Sequence, residues 1–289
     1  MASGAPYYLG IDGGGTGCRA RVVDANGRVL GSGTAGPASL RLGADTAWAA
    51  LMAAAGAALT ATGLDSPDNE IHAGIGVAGV GRTGALEQLL AKAHPYASLT
   101  IANDAVTACL GAHRGLDGGI VIVGTGSVGF GRAAGREVRV GGWGFPVSDD
   151  GSGAWLGLNV VRMALDAHDE RRAMTPLLGG ILAGFGGDPY RLVDWMERAS
   201  ATDYATLAPQ VVTAAAGWDE AAHDLMRRAA RHIDALVETL ADRGVPRVAL
   251  LGGLAGAMEP WLASAARAQL VAPAGDSIDG ALQLAGFGR

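Results

Sequence analysis

An acid, three glycines and a hydroxyl stand in a row at Asp12-Gly13-Gly14-Gly15-Thr16, directly after an apolar run containing Leu9 and Ile11. The run suits a buried strand. Glycine lets the backbone turn tightly and lets its N–H groups approach a ligand with no Cβ in the way. Successive exposed N–H groups form an anion-binding concavity, and Thr16 adds a donor. Asp12, at the strand end, could hold a hydrated divalent cation facing the same anion. For this stretch taken alone, a glycine-rich hairpin turn with an exposed acid is an equal alternative.

A second glycine turn, Gly124-Thr125-Gly126-Ser127, follows the apolar segment Gly119–Val123. Extended to Gly129 it also matches the G-x-G-x-x-G of dinucleotide folds, which requires a helix to open at the second glycine. Phe130 to Gly135 heads instead for a turn, so the dinucleotide reading is set aside. Lysine usage excludes more. Lys92 is the only lysine and is flanked by alanines, so no Walker A loop exists, nor any Schiff-base lysine other than Lys92.

Composition bounds the rest. The chain has 289 residues, enough for one large domain or two compact ones, with 49% hydrophobic residues and 47 glycines. It carries 22 basic and 28 acidic residues, a net charge of −6, with no basic block. A nucleic-acid surface is therefore not expected, and a small molecule is the default partner. No run of apolar residues is long enough to span a membrane. The opening Met-Ala-Ser-Gly-Ala-Pro lacks the basic and apolar regions of a signal peptide. Cys18 and Cys109 form no spaced cluster, which fits a reduced cytoplasmic setting.

The elements that must position these turns follow from periodicity. Cys18, Ala20 and Val22 alternate with Arg19 and Arg21 as a strand, Asn26-Gly27 signals a tight turn, and Val29-Leu30 returns as a further strand. The first glycine turn thus lies inside an antiparallel meander. Ala44–Thr62 reads as a helix, Ile71–Val80 as a buried strand, and Thr83–Ala93 as a helix capped by Thr83. Leu99–Ala102 is a strand that stops at Asn103-Asp104, before a helix over Ala105–Ala112. Then strand, glycine turn, strand, turn, strand repeats over Gly119–Val140, which predicts an internal duplication. Gly141-Gly142-Trp143-Gly144 leads through Pro146–Gly153 to a helix over Ala154–Ala167, which Ser148 or Asp149 can cap as the structural alternative to a role in a site. Helices interrupted at Gly184–Gly187 and near Asp203 fill Met174–Trp218, and one long amphipathic helix spans Asp219–Asp242. Val248–Leu251 is a strand ending in Gly252-Gly253, Leu270-Val271 a short strand, and Ser277 caps a last helix over Ile278–Ala285.

Gly10–Thr16, Asn103-Asp104, Gly124–Ser127 and Leu251–Gly253, in that order, resemble the sugar kinase, Hsp70 and actin superfamily. Gly141–Gly144 followed by Ser148-Asp-Asp-Gly-Ser152 is similar to the sugar-site signature of its N-acetylglucosamine kinase branch. Tyr8–Arg21, Ala93–Ser98, Ala108–His113 and Asp279–Leu282 resemble bacterial glucosamine kinases of the BadF/BadG type. The resemblance covers essentially the whole chain. It implies an α/β fold of two ribonuclease H-like (actin-like ATPase) lobes with a nucleotide cleft between them. Residues 1–115 with 275–289 would form one lobe and 116–274 the other, with a helical insertion over about 168–245.

The resemblance also implies roles. Gly13, Gly14, Gly15 and Thr16, together with Thr125, Gly126 and Ser127, would hold the β- and γ-phosphates of ATP. Asp12 would contact Mg²⁺ through water, and Gly252 and Gly253 would flank the adenosine. Asp104 would be the catalytic base, with the N-cap of the following helix as its structural alternative; Asn103 and Asp149 would contact sugar hydroxyls, and Gly142 and Ser39 would line the sugar site. Trp143 is expected to pack beneath the site. The family usually carries an asparagine where Gly36–Leu40 offers Ser39, and it can carry a polar residue at the position of Val128; both changes lean the reading from N-acetylglucosamine to glucosamine. The resulting expectation is an ATP- and Mg²⁺-dependent amino-sugar kinase acting on the 6-hydroxyl, cytoplasmic and homodimeric. Related activator ATPases of dehydratases and reductases bridge an iron–sulfur cluster, which needs clustered cysteines that this chain lacks.

Overall fold

The computed structural model describes residues 6–63, 70–80 and 84–288. The N-terminal segment and the cap expected at Thr83 lie outside the described residues. The chain forms two compact units, one running to Asp117 and resuming at Ala272, the other spanning Gly118–Val271.

The first unit holds β1 (Tyr7–Gly13), β2 (Cys18–Val23), β3 (Val29–Ala35), α1 (Ala44–Thr60), β4 (Ile71–Val77), α2 (Ala85–Leu90), β5 (Ser98–Asn103), α3 (Asp104–His113) and the C-terminal helix Ser277–Leu284. Its five-stranded sheet has the order β3-β2-β1-β4-β5. β1 to β3 form the antiparallel meander read from the sequence, and β4 and β5 add in parallel on the other side of β1. The alternation in β2 follows from this: Cys18, Ala20 and Val22 are buried while Arg19 and Arg21 face outward or half-outward. α1 buries Ala47, Leu51, Ala54, Ala55 and Ala58 against one face, and the C-terminal helix lies so close to the other that a Cβ at Gly74 would stand 2.0 Å from the Ala281 carbonyl oxygen.

The second unit holds β6 (Gly118–Val123), β7 (Ser127–Ala133), β8 (Arg136–Gly141), α4 (Gly153–His168), α5 (Pro176–Gly184), α6 (Pro189–Met196), α7 (Ala201–Ala205), α8 (Ala208–Ala216), α9 (Glu220–Asp242), β9 (Val248–Leu251), α10 (Ala255–Met258) and α11 (Ser264–Ala268). Its four strands have the order β8-β7-β6-β9, again an antiparallel meander with a parallel strand beside its first member. The predicted duplication is therefore a duplication of topology. α9 buries Leu225, Met226, Ile233, Val237 and Leu240 in a core shared with α4 and the sheet.

Local details differ from the sequence reading. β4 stops at Val77 because Ala78 turns back to meet the Leu40 N–H at 2.9 Å and Gly79 takes φ +91°. Leu270 makes only an isolated bridge to Val248, so the expected short strand does not form. The last helix is capped by Asp276, not Ser277, through a capping box with Asp279. α4 is capped by Ser152, not by Ser148 or Asp149. In each case several short polar side chains lie together, and the backbone angle selects which one reaches the free N–H groups.

Candidate active site

The first glycine turn joins β1 to β2, closed by a 2.9 Å bond from the Gly14 N–H to the Gly17 carbonyl. Ala38 and Ala78 donate to the carbonyls of Gly14 and Gly13, each at 2.9 Å, which pins the turn from outside. Gly15 and Thr16 are exposed, and among the described residues no protein group accepts from their N–H groups or from the Thr16 hydroxyl. A Cβ at Gly15 would meet nothing within 4 Å, and one at Gly14 only the Gly17 oxygen at 3.4 Å, whereas one at Gly13 would press Leu51 at 2.8 Å. Gly13 therefore serves packing. Gly14 and Gly15 leave open space over free donors, which is what an anion requires.

Asp12 lies at the end of β1, paired in register with Arg19 on β2. The Arg19 Nη2 donates to Asp12 Oδ2 at 2.7 Å. Arg19 carries no role in the sequence reading, although the strand register that makes the pair follows from the length of the turn. One carboxylate beside free N–H donors suits a cation that keeps most of its waters, as Mg²⁺ does. Among the described residues no cluster of three or more His, Cys, Asp or Glu forms a closed metal cage.

Asn103 and Asp104 sit where β5 gives way to α3. Asn103 is the N-cap, its Oδ1 accepting from the Ala105 N–H at 2.9 Å, and Asp104 Oδ1 also approaches that N–H at 3.0 Å. The cap position that competed with catalysis for Asp104 thus belongs to its neighbour. Asp104 itself starts the helix half-buried, near the favourable N-terminal end of its dipole. Ser39 is buried at 5% exposure and caps a short 3₁₀ turn by accepting from the Arg41 N–H at 3.3 Å.

In the second unit, Gly124–Ser127 is stitched to the start of α4. Gly153 and Ala154 donate to the carbonyls of Gly124 and Thr125 at 2.8 and 3.1 Å, and the Ser127 hydroxyl donates to the Asp150 carbonyl at 2.7 Å. The first N–H groups of α4 are thereby used up within the protein. Those of Thr125 and Gly126 have no protein acceptor among the described residues. Asp149 has φ +65° and turns its carboxylate back onto this turn, where Oδ1 accepts from the Gly144 N–H at 3.3 Å. Gly142 has φ +70°, with its carbonyl accepting from Arg139. Gly252 is required by the protein itself: a Cβ there would lie 2.4 Å from the Val123 oxygen, while Gly253 faces open space.

Trp143 does not pack beneath anything. It is 76% exposed, and the Arg139 guanidinium lies 4.5 Å from its ring centroid. Its flanking glycines, at positive φ on both sides, throw the side chain outward. The cysteines are the reverse: Cys18 and Cys109 are 1% and 0% exposed. Burial, with the Asp12 charge adding to it, pushes the Cys18 thiol up to about 11. Neither thiol is presented at a surface where a cluster could bridge subunits.

Two units of repeated β-meander topology, each with a glycine turn, define the two-lobed actin-like ATPase fold. The chain belongs to the BadF/BadG/BcrA/BcrD ATPase family, whose pattern it matches over residues 9–284. It is 38% identical over 282 residues to the glucosamine kinase GspK of Vibrio cholerae, covering 97% of this chain and 96% of that protein. A solved structure from Chromobacterium violaceum, provisionally assigned as an N-acetylglucosamine kinase, is 36% identical with a TM-score of 0.87, covering 97% of this chain and 99% of that one. A ROK-family glucokinase from Streptomyces griseus, at 20% identity and a TM-score of 0.54, covering 97% and 98%, shares the fold alone.

Proposed function

We propose that this chain is an ATP-dependent amino-sugar kinase that phosphorylates the 6-hydroxyl of glucosamine. The observation that carries the reading is near-full-length similarity to a glucosamine kinase, on a chain whose glycine turns keep their N–H donors free. Magnesium, a cytoplasmic location and a homodimeric assembly belong to the same reading.

Phosphoryl transfer spreads charge over the phosphoryl oxygens, so catalysis is chiefly positioning and charge stabilisation. The N–H groups of Gly15 and Thr16, and those of Thr125 and Gly126, are the donors assigned to phosphate oxygens. Asp12 would hold Mg²⁺ through water, and the bound ion supplies charge neutralisation at the β- and γ-phosphates. Asp104 takes the proton of the sugar 6-hydroxyl as that oxygen bonds to phosphorus and ADP departs with the electron pair of the broken bond. Asn103, Asp149, Gly142 and Ser39 are assigned to the sugar side.

A second reading, N-acetylglucosamine as acceptor, rests on the similarity to the Chromobacterium violaceum structure. ADP release measured over glucosamine, N-acetylglucosamine, glucose and N-acetylmannosamine tests both. Release stimulated by neither amino sugar would remove the kinase assignment.

A further inference from the structure

Arg19 stands between two carboxylates. Its Nη2 donates to Asp12 Oδ2 at 2.7 Å, and its Nη1 lies 3.8 Å from Asp276 Oδ2. Asp276 is held in place from its other oxygen, since Oδ1 accepts from the N–H groups of Ile278 and Asp279 at 3.0 Å each. Its Oδ2 is left for arginines, with Arg21 Nη2 at 3.5 Å and Arg21 itself anchored on Asp279 at 2.7 Å. Asp12 is only 18% exposed whereas Arg19 is 52% exposed. The carboxylate is therefore the fixed partner and the guanidinium the mobile one, with a second acceptor already within reach.

We propose that Arg19 is a positioning residue that acts as the stand-in countercharge for Asp12, yielding to the divalent cation and moving to Asp276 when metal–nucleotide binds. The inference rests on the kinase reading for the role of Asp12, and on the ion-pair geometry for the role of Arg19. Without the guanidinium, a bare carboxylate beside the phosphate turn would repel metal-free nucleotide. With it in place, Asp12 is neutralised until a stronger cation competes. Asp276 lowers the cost of the exchange by offering Arg19 somewhere to go.

The test is calorimetric binding of adenylyl imidodiphosphate to the full chain, once with EDTA and once with saturating Mg²⁺. The ratio of the two Kd values measures how strongly metal and nucleotide are coupled. Arg19→Met should raise that ratio about two- to fivefold, the range of a part-exposed ion pair, with the rise coming mainly from weaker binding in EDTA. Asp276→Asn should lower the ratio by a similar factor, because Arg19 then stays on Asp12. A residue with only a structural role would shift both Kd values together, an arginine that simply binds phosphate would leave the Asp276→Asn ratio unlowered, and either an unchanged ratio in Arg19→Met or no fall in Asp276→Asn overturns the proposal. Should Arg19→Met fail to fold, the Asp276→Asn ratio decides alone, and no fall in it overturns the proposal. Sugar-stimulated ADP release by the wild type is scored separately. Its absence sinks the kinase reading, and the Kd ratios still report on Arg19.

Discussion

The Asp149 carboxylate presses against the second glycine turn so closely that a Cβ at Gly126 would lie 2.5 Å from Asp149 Oδ2. The two residues fix each other: the absence of a side chain at 126 is what allows Asp149, at φ +65°, to fold back and accept from the Gly144 N–H. Gly126→Ala should keep the fold and expel the carboxylate. The atom displaced is the free end of a side chain, so the fold gives way there at little cost and the expected effect is a fall in kcat/KM for the sugar. Steady-state kinetics with circular dichroism as the fold control checks it; unaltered kcat/KM would mean that this contact does not hold Asp149 for substrate.

Asn103 and Asp104 are adjacent but should separate cleanly under mutation. Asn103→Ala removes an N-cap and should cost about 1 kcal/mol of stability, visible as a lower melting temperature. Asp104→Asn should leave the melting temperature nearly unchanged and lower kcat by about 10²–10⁴-fold, the size of a general-base contribution. Turnover of Asp104→Asn within a few-fold of wild type would strip the residue of its assigned role.

Gly14→Val places a side chain over the turn, where only the Gly17 oxygen at 3.4 Å meets its Cβ. Gly14 does not adopt positive φ, so the backbone tolerates the change. The folded variant should lose the rise in melting temperature that saturating ATP gives the wild type. Retained stabilisation by ATP would take this turn out of the nucleotide site.

Much of this was legible in the sequence. The meanders showed because strand alternation and turn dipeptides are local signals, and the long amphipathic helix showed because its apolar stripe repeats at helical spacing. The sequence reading places the cap of the last helix at Ser277 and offers Ser148 or Asp149 for α4, whereas Asp276 and Ser152 serve, since choosing among nearby Asp and Ser depends on backbone angles that composition does not encode. The Asp12–Arg19 pair is a matter of hairpin register. The exposure of Trp143 is set by flanking glycines whose φ angles only the folded chain reveals.

Alkaline pH should expose the buried thiol. Cys18 is raised from 9.0 to about 11, chiefly by burial. Its folded pKa lies above the unfolded one, so the native state keeps a proton that the unfolded chain releases. That contribution to stability is complete below pH 9 and is lost as pH climbs toward 11. Urea midpoints of wild type should therefore fall more steeply over this window than those of Cys18→Ala. Parallel curves would assign the alkaline loss to other groups.

The acceptor sugar is the last prediction: kcat/KM should favour glucosamine over N-acetylglucosamine. An acetamido group brings a donor and an acceptor, and burying them without partners costs about 1–3 kcal/mol. That corresponds to about a 5- to 150-fold preference. In the first unit, the Ser39 hydroxyl oxygen is already engaged by the Arg41 N–H and is almost wholly buried, so it has little to offer a ligand. In the second, Val128 packs against Gly142, where an added Cβ would stand 2.6 Å from its Cγ2, and it presents only methyl groups. A protonated amine asks less of such side chains, since it can face water or a carboxylate such as Asp149 or Asp150. Installing a hydrogen-bonding side chain through Val128→Asn should narrow the preference by improving N-acetylglucosamine alone. A wild-type kcat/KM that favours the acetylated sugar would overturn this reading of Ser39 and Val128 and leave the amino-sugar kinase assignment standing.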